Sequence, residues 1–242
     1  MRGRAPRFYF SFRSPYSWIA ARWLEQSTLP AGVRIEYVPF WEPDATTLEF
    51  LRQRGGEFHY TPMSRAKHLY ILQDVRRLAR KEGLEVVWPV DRDPWWEVPH
   101  LAYLAAQRDG KGPEVFWGIY RARWEQGRDI CCRSTIREIA AEVGADPELL
   151  AGAPEDPDTR ELAAEALYQC YRDDVFGIPL FIHGRDKFWG TDRFADFAAS
   201  LGLGVASAGS LPGPAREPSV PASGTVQEWF GGYESDHAGG CG

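Results

Sequence analysis

The 242-residue sequence predicts an α/β fold in which a small sheet layer is interrupted by a large helical insertion. Three observations predict it. Strand patterns stand near the start and again after residue 175, helical periods fill the stretch between them, and the first strand runs straight into a helix. With 44% hydrophobic residues, the chain can bury a full core.

The run RFYFSFR alternates Phe8, Phe10 and Phe12, the period of a strand with one buried face. Pro15 follows, and YSWIAARWLEQ reads as a helix entered through Ser14–Pro15, a favoured cap and first helical position. After the turn LPAG, VRIEYVPF is a second strand, so the first forty residues form a βαβ unit. From Asp44 to Asp174 the period is helical, in SRAKHLYILQDVRRLARKEG, HLAYLAAQRDG, PEVFWGIYRARWEQG and STIREIAAEVG. Each of these closes on a Gly where a C-cap is expected. Strand character returns after FGIP in LFIHGRDKFWG, a hairpin turning near Gly184, and the helix TDRFADFAASLG completes the layer. The expected organisation is a discontinuous sheet domain over 1–43 and 175–203, a helical insertion over 44–174, and a tail over 204–242. In that tail a Gly, Ser, Pro and Ala-rich stretch precedes the aromatic island of Trp229, Phe230 and Tyr233.

Composition excludes several classes of function. The net charge is -6 and the basic residues are dispersed, which leaves no footprint for nucleic acid. No apolar run approaches the ~18 residues of a membrane span, and MRGRAPRFYF leads into a strand rather than a signal core, so a cytoplasmic protein is expected. Cys131, Cys132, Cys170 and Cys241 show neither Cys-x-x-Cys nor metal-ligand spacing, so neither a metal site nor a disulfide scaffold is expected.

Three stretches carry chemistry. At the corner SPYS, Ser14 and Ser17 occupy the two ends of a tetrapeptide where a redox protein of this shape would carry cysteines. In FGIPLFI, Pro179 starts a strand, and either isomer fits; in cis it would turn the N–H and C=O of Ile178 toward a peptide-like ligand. In DPWWEVPHLAYL, Trp95 and Trp96 read as pocket walls or as core filling. Glu97 and His100, three apart, are spaced to act as acid and base, or His100 is a solvated residue at a helix start.

Taken in order, FYFSFRSPYSW, AKHLYILQDVRRLA, YRARWEQGRDI and VFGIPLFIHGRDKFWGTDRF resemble the DsbA-fold branch that holds 2-hydroxychromene-2-carboxylate isomerases and kappa-class glutathione transferases. The resemblance runs from about residue 7 to residue 203. It implies a thioredoxin-like (DsbA-type) layer with a large helical insertion, a homodimer, and a serine in place of the disulfide pair. By that resemblance Ser14 donates to the thiolate of glutathione or another low-molecular-weight thiol, a charge that a helix N-terminus favours. Lys67 and Tyr70 would face the cleft, and Asp192 with Arg193 would hold the polar end of the thiol. Beside these matches, and not implied by them, Ser11, Tyr16, Ile178 and Pro179 are expected on the cofactor side, and Phe12, Trp95 and Trp96 on the substrate side. Asp74 and Arg77 fit a helix-face ion pair better than a site contact.

Two departures stand out: Ser11 replaces the acidic residue usual in the family, and DPWWEVPHLAYL stands where an Asn-Ser or Asn-Thr pair is common. The lysines are Lys67, Lys81, Lys111 and Lys187 among 28 basic residues, a bias of high-G+C coding that leaves open a thiol other than glutathione, or none. The implied reaction is cis–trans rotation about a C=C bond of a small conjugated, aromatic molecule, with a thiolate adding and leaving. Other readings remain. They are a kappa-like thiol S-transferase, a cofactor-free isomerase of secondary metabolism using Glu97 or His100, and a non-catalytic binding module. Disulfide exchange is not expected, because positions 14 and 17 offer only hydroxyls.

Overall fold

The computed structural model describes residues 4–59 and 63–203. The segment expected as a linker and aromatic tail, with Cys241, lies outside the described residues. Strand β1 (Arg7–Phe10) leads into α1 (Pro15–Gln26) and returns as β2 (Glu36–Pro39), which pairs in parallel with β1, Phe8 opposite Tyr37. The insertion runs through α2 (Ala45–Gln53), α3 (Arg65–Lys81), α4 (Glu97–Arg108), α5 (Gly112–Tyr120), α6 (Arg133–Val143), α7 (Pro147–Ala151) and α8 (Pro157–Arg172). The hairpin of β3 (Leu180–His183) and β4 (Asp186–Trp189) follows, and then α9 (Phe194–Ser200). The sheet order is β2-β1-β3-β4, with β3 antiparallel to both neighbours.

Local chemistry explains the helix boundaries. Ser14, Asp44, Ser64, Asp146 and Asp156 each cap a helix by accepting a first-turn amide with the side chain. Gly144 closes α6 in the left-handed conformation at φ 69°. Beyond α5 the helix widens into one π turn, Arg121–Glu125, an irregularity frequent at functional sites.

Alternation in β1 predicts one buried face, but the strand is buried on both. Its Phe8 and Phe10 face one cluster, while Tyr9 joins a second with Val38, Leu180 and Ile182 and with Ala166 and Cys170 of α8. Helix α8, whose pattern the sequence does not single out, covers this second face. The first face packs directly on the insertion. Phe10 lies 5.0 Å from Phe116 and 5.5 Å from Tyr103, and Phe12 lies 5.0 Å from Tyr120, all edge-on. The corner after β1 is thereby pressed against α4 and α5. Among the described residues no helix is long and apolar enough to cross a membrane.

Candidate functional site

Ser14 caps α1 with extended backbone, and its Oγ accepts the Ser17 amide at 3.2 Å. Among the described residues the Ser14 hydroxyl forms no hydrogen bond to an acceptor, so its proton is uncommitted. The residue is fully buried. Ser17 Oγ in turn accepts the Ser11 amide at 3.4 Å. The corner is a set of hydroxyls around a helix N-terminus, where the peptide dipoles favour negative charge. The Ile178–Pro179 bond is cis, and Ile178 is buried.

His100 joins this corner instead of solvent. Its Nδ1 lies 2.7 Å from the Trp96 carbonyl and so carries the proton. That leaves Nε2 to accept the Ser11 hydroxyl at 3.2 Å and the Phe12 amide at 3.3 Å. Trp41 stacks on the ring at 5.0 Å. Burial pushes the imidazole pKa down to about 3, against the pull of the Trp96 carbonyl and with help from the Arg123 charge. The ring is therefore neutral, and its full burial rules out the solvated helix start, one of the two readings of His100.

Glu97, one turn earlier on α4, belongs to a different network. Its carboxyl accepts Trp41 Nε1 at 2.7 Å and the Asp44 amide at 2.8 Å, and it lies 3.5 Å from Arg160. Burial pushes its pKa up to about 7, and the Asp44 charge adds to the rise. Trp95 belongs here as well, its Nε1 donating to Asp44 at 3.2 Å. Trp96 faces the other way, with the guanidinium groups of Arg13 and Arg123 over its ring at 5.1 and 4.9 Å. Arg123 is held by Asp91 through two bonds, of 2.8 and 2.9 Å. The sequence places Glu97 with His100 and Trp95 with Trp96; in the structure each member of a pair has its own polar partners, and Trp41, which donates to Glu97 and stacks on His100, stands between the first two.

Tyr16 donates to Asp74 at 2.8 Å, and Arg77 pairs with the same carboxylate at 2.8 Å, so the ion pair expected on α3 also ties α3 to α1. Lys67 and Tyr70 are exposed on that helix. Asp192 and Arg193 are exposed on a short 3-10 turn, Thr191–Arg193, that packs against α1, and Arg193 pairs with Asp196 at 3.5 Å. Sequence reasoning missed Trp41, Asp91, Arg123 and Arg160, and also Tyr120 and Trp124, which bond the carbonyls of Ser11 and Phe12. The YRARWEQGRDI stretch holds Tyr120, Arg123 and Trp124; Trp41, Asp91 and Arg160 lie outside every stretch singled out from the sequence.

Residues 7–202 match the family model described as a DSBA-like thioredoxin domain. The chain belongs to this family. Within it the chain is 28% identical over 198 residues to the 2-hydroxychromene-2-carboxylate isomerase of Sphingobium xenophagum, an alignment that covers 80% of this chain and 95% of that one. A solved 2-hydroxychromene-2-carboxylate isomerase superposes with a TM-score of 0.67 at 20% identity, covering 82% of this chain and 95% of the other. The cytosolic disulfide reductase DsbM of Pseudomonas aeruginosa, solved with GSH, superposes with a TM-score of 0.53 at 19% identity, covering 83% and 100%.

Proposed function

We propose that this chain is an isomerase of the 2-hydroxychromene-2-carboxylate isomerase type, which opens a cyclic hemiketal to a conjugated alkene by rotation about a C=C bond. The carrying observation is the corner itself, a helix N-terminus capped by a hydroxyl whose proton no acceptor among the described residues takes, with no thiol at either end of Ser14–Ser17. Such a corner can stabilise a negative sulfur or oxygen atom but cannot exchange disulfides. The likeness in sequence to the Sphingobium enzyme supports the same reading.

The residues present fit a small thiol. The Ser14 proton is the donor for its sulfur, and Asp192, Arg193, Lys67 and Tyr70 are the exposed polar groups for its other end. When bound, such a thiol supplies a sulfur nucleophile that makes the double bond rotatable. What the chain supplies is positioning. Ser14 directs one hydrogen bond, α1 adds its dipole, and His100 stays neutral and accepts throughout. Ser14 is fully covered, so entry of a ligand requires the covering side chains to part.

The test is incubation with 2-hydroxychromene-2-carboxylate, with and without glutathione, and insulin reduction as a control. Spectral conversion to the open isomer, no thiol retained in product and no insulin reduction are expected; a product carrying the thiol would make the chain a transferase. We take it to act in the cytoplasm as a homodimer. Light scattering that returned the single-chain mass of 27.4 kDa would remove the dimer.

A further inference from the structure

We infer that His100, Tyr120 and Trp124, all from the helical insertion, are positioning residues that hold the Ser11–Phe12 segment and through it fix where the Ser14 hydroxyl stands. Past β1 the chain leaves the ladder, and each buried backbone group there needs another partner. The insertion supplies these partners. Tyr120 donates from its hydroxyl to the Ser11 carbonyl at 3.1 Å, and Trp124 Nε1 donates to the Phe12 carbonyl at 3.1 Å. His100 Nε2 accepts the Phe12 amide and the Ser11 hydroxyl, and Ser11 Oγ accepts the Arg13 amide at 3.3 Å. The Ser14 amide closes the turn on the same Ser11 carbonyl at 3.1 Å.

Two features make this a built device. Tyr120 ends α5 and Trp124 lies in the π turn that follows, so one widened stretch of helix serves two consecutive carbonyls. The imidazole is locked in one tautomer by the Trp96 carbonyl and one orientation by the stacked Trp41. A donor displaced by about an ångström loses much of its effect on the reaction, on the order of 10²-fold. The insertion therefore sets the site, although Ser14 sits on the sheet layer's helix.

The kinetic part of this inference rests on the isomerase reading; the structural part does not. Tyr120→Phe, His100→Phe and His100→Gln are compared with the wild-type chain by amide hydrogen exchange and by kcat and KM on 2-hydroxychromene-2-carboxylate. Tyr120→Phe and His100→Phe should speed exchange at Phe12, Arg13 and Ser14 by about 10-fold, the size of one lost hydrogen bond, and leave the interior of α8 unchanged. The same variants should lower kcat by about 10-fold at nearly constant KM. His100→Gln, whose side-chain carbonyl can replace Nε2 as acceptor, should recover most of both. Unchanged exchange at residues 12–14 in folded Tyr120→Phe overturns the inference, as does an equal rise throughout the chain. If His100→Phe does not fold, Tyr120→Phe decides alone. A wild-type chain that does not isomerise the substrate sinks the functional reading, and the exchange arm still decides the positioning.

Discussion

Ser14→Ala should slow turnover by ~10²-fold, as expected for removal of one aimed donor, and should lower the melting temperature by only a few degrees. The Ser14 side chain has two jobs, and they separate on substitution. As a cap, its Oγ accepts the Ser17 amide, a bond whose loss costs about 0.5–2 kcal/mol, or roughly 1–8 °C in a chain of this size. As a donor it offers a proton that no acceptor among the described residues takes. Ser14→Gly isolates the second job, because Gly is a tolerable cap that costs only a few tenths of a kcal/mol but has no hydroxyl. A stable, inactive Gly variant is the expected result. A stable Gly variant with full turnover per folded molecule would take Ser14 out of the chemistry and leave it a cap.

The βαβ start was legible because its signals are local. A period of two in RFYF gives way to a Ser-Pro helix start within five residues, and the 180–189 hairpin likewise announces itself through Gly184, which has φ 61°. Helix α8 was less visible because the face it buries consists mostly of small residues, Ala163, Ala164, Ala166 and Cys170 beside Leu167, so no strong apolar stripe marks it. Missing α8 meant missing the cover on the second face of β1. The candidate site divides in the same way. Ser14 was readable from its own neighbours, whereas the roles of Glu97 and His100 depend on partners far away in sequence. Spacing by three puts these two on one helical face, yet Trp41 takes Glu97 from 56 positions away and Ser11 takes His100 from 89. Periodicity reports which face a residue occupies and carries no information about which side chain waits there.

The largest loss of stability is expected from Arg160→Ala at pH 8, ~3–5 kcal/mol, because there it leaves the buried Glu97 carboxylate and the part-buried Asp44 carboxylate without their cation. Arg160 Nη1 donates to Asp44 at 2.8 Å and to Thr47 Oγ1 at 2.6 Å, and lies 3.5 Å from Glu97, while its Nε donates to the Pro154 carbonyl at 2.6 Å. One guanidinium thus joins α2, α4 and α8. The deficit should depend on pH with a definite sign. Burial raises the Glu97 pKa to about 7 in the folded chain, well above the ~4.3 of an unfolded glutamate. The stability this contributes is therefore fully present below ~4.3 and is lost as pH rises through 7. Asp44 is also pushed up by burial, but the Thr47 amide and Arg160 more than offset this and hold it below its ordinary value. It remains charged at pH 5 and adds no slope above that point. At pH 5 Glu97 is neutral and needs no counter-ion; at pH 8 it is charged and does. Denaturant melts of Arg160→Ala should therefore show a larger deficit against wild type at pH 8 than at pH 5, and adding Glu97→Gln should flatten the difference. Equal deficits at the two pH values would mean that Arg160 acts through Asp44, Thr47 and Pro154 alone, and that the Glu97 carboxyl does not feel it.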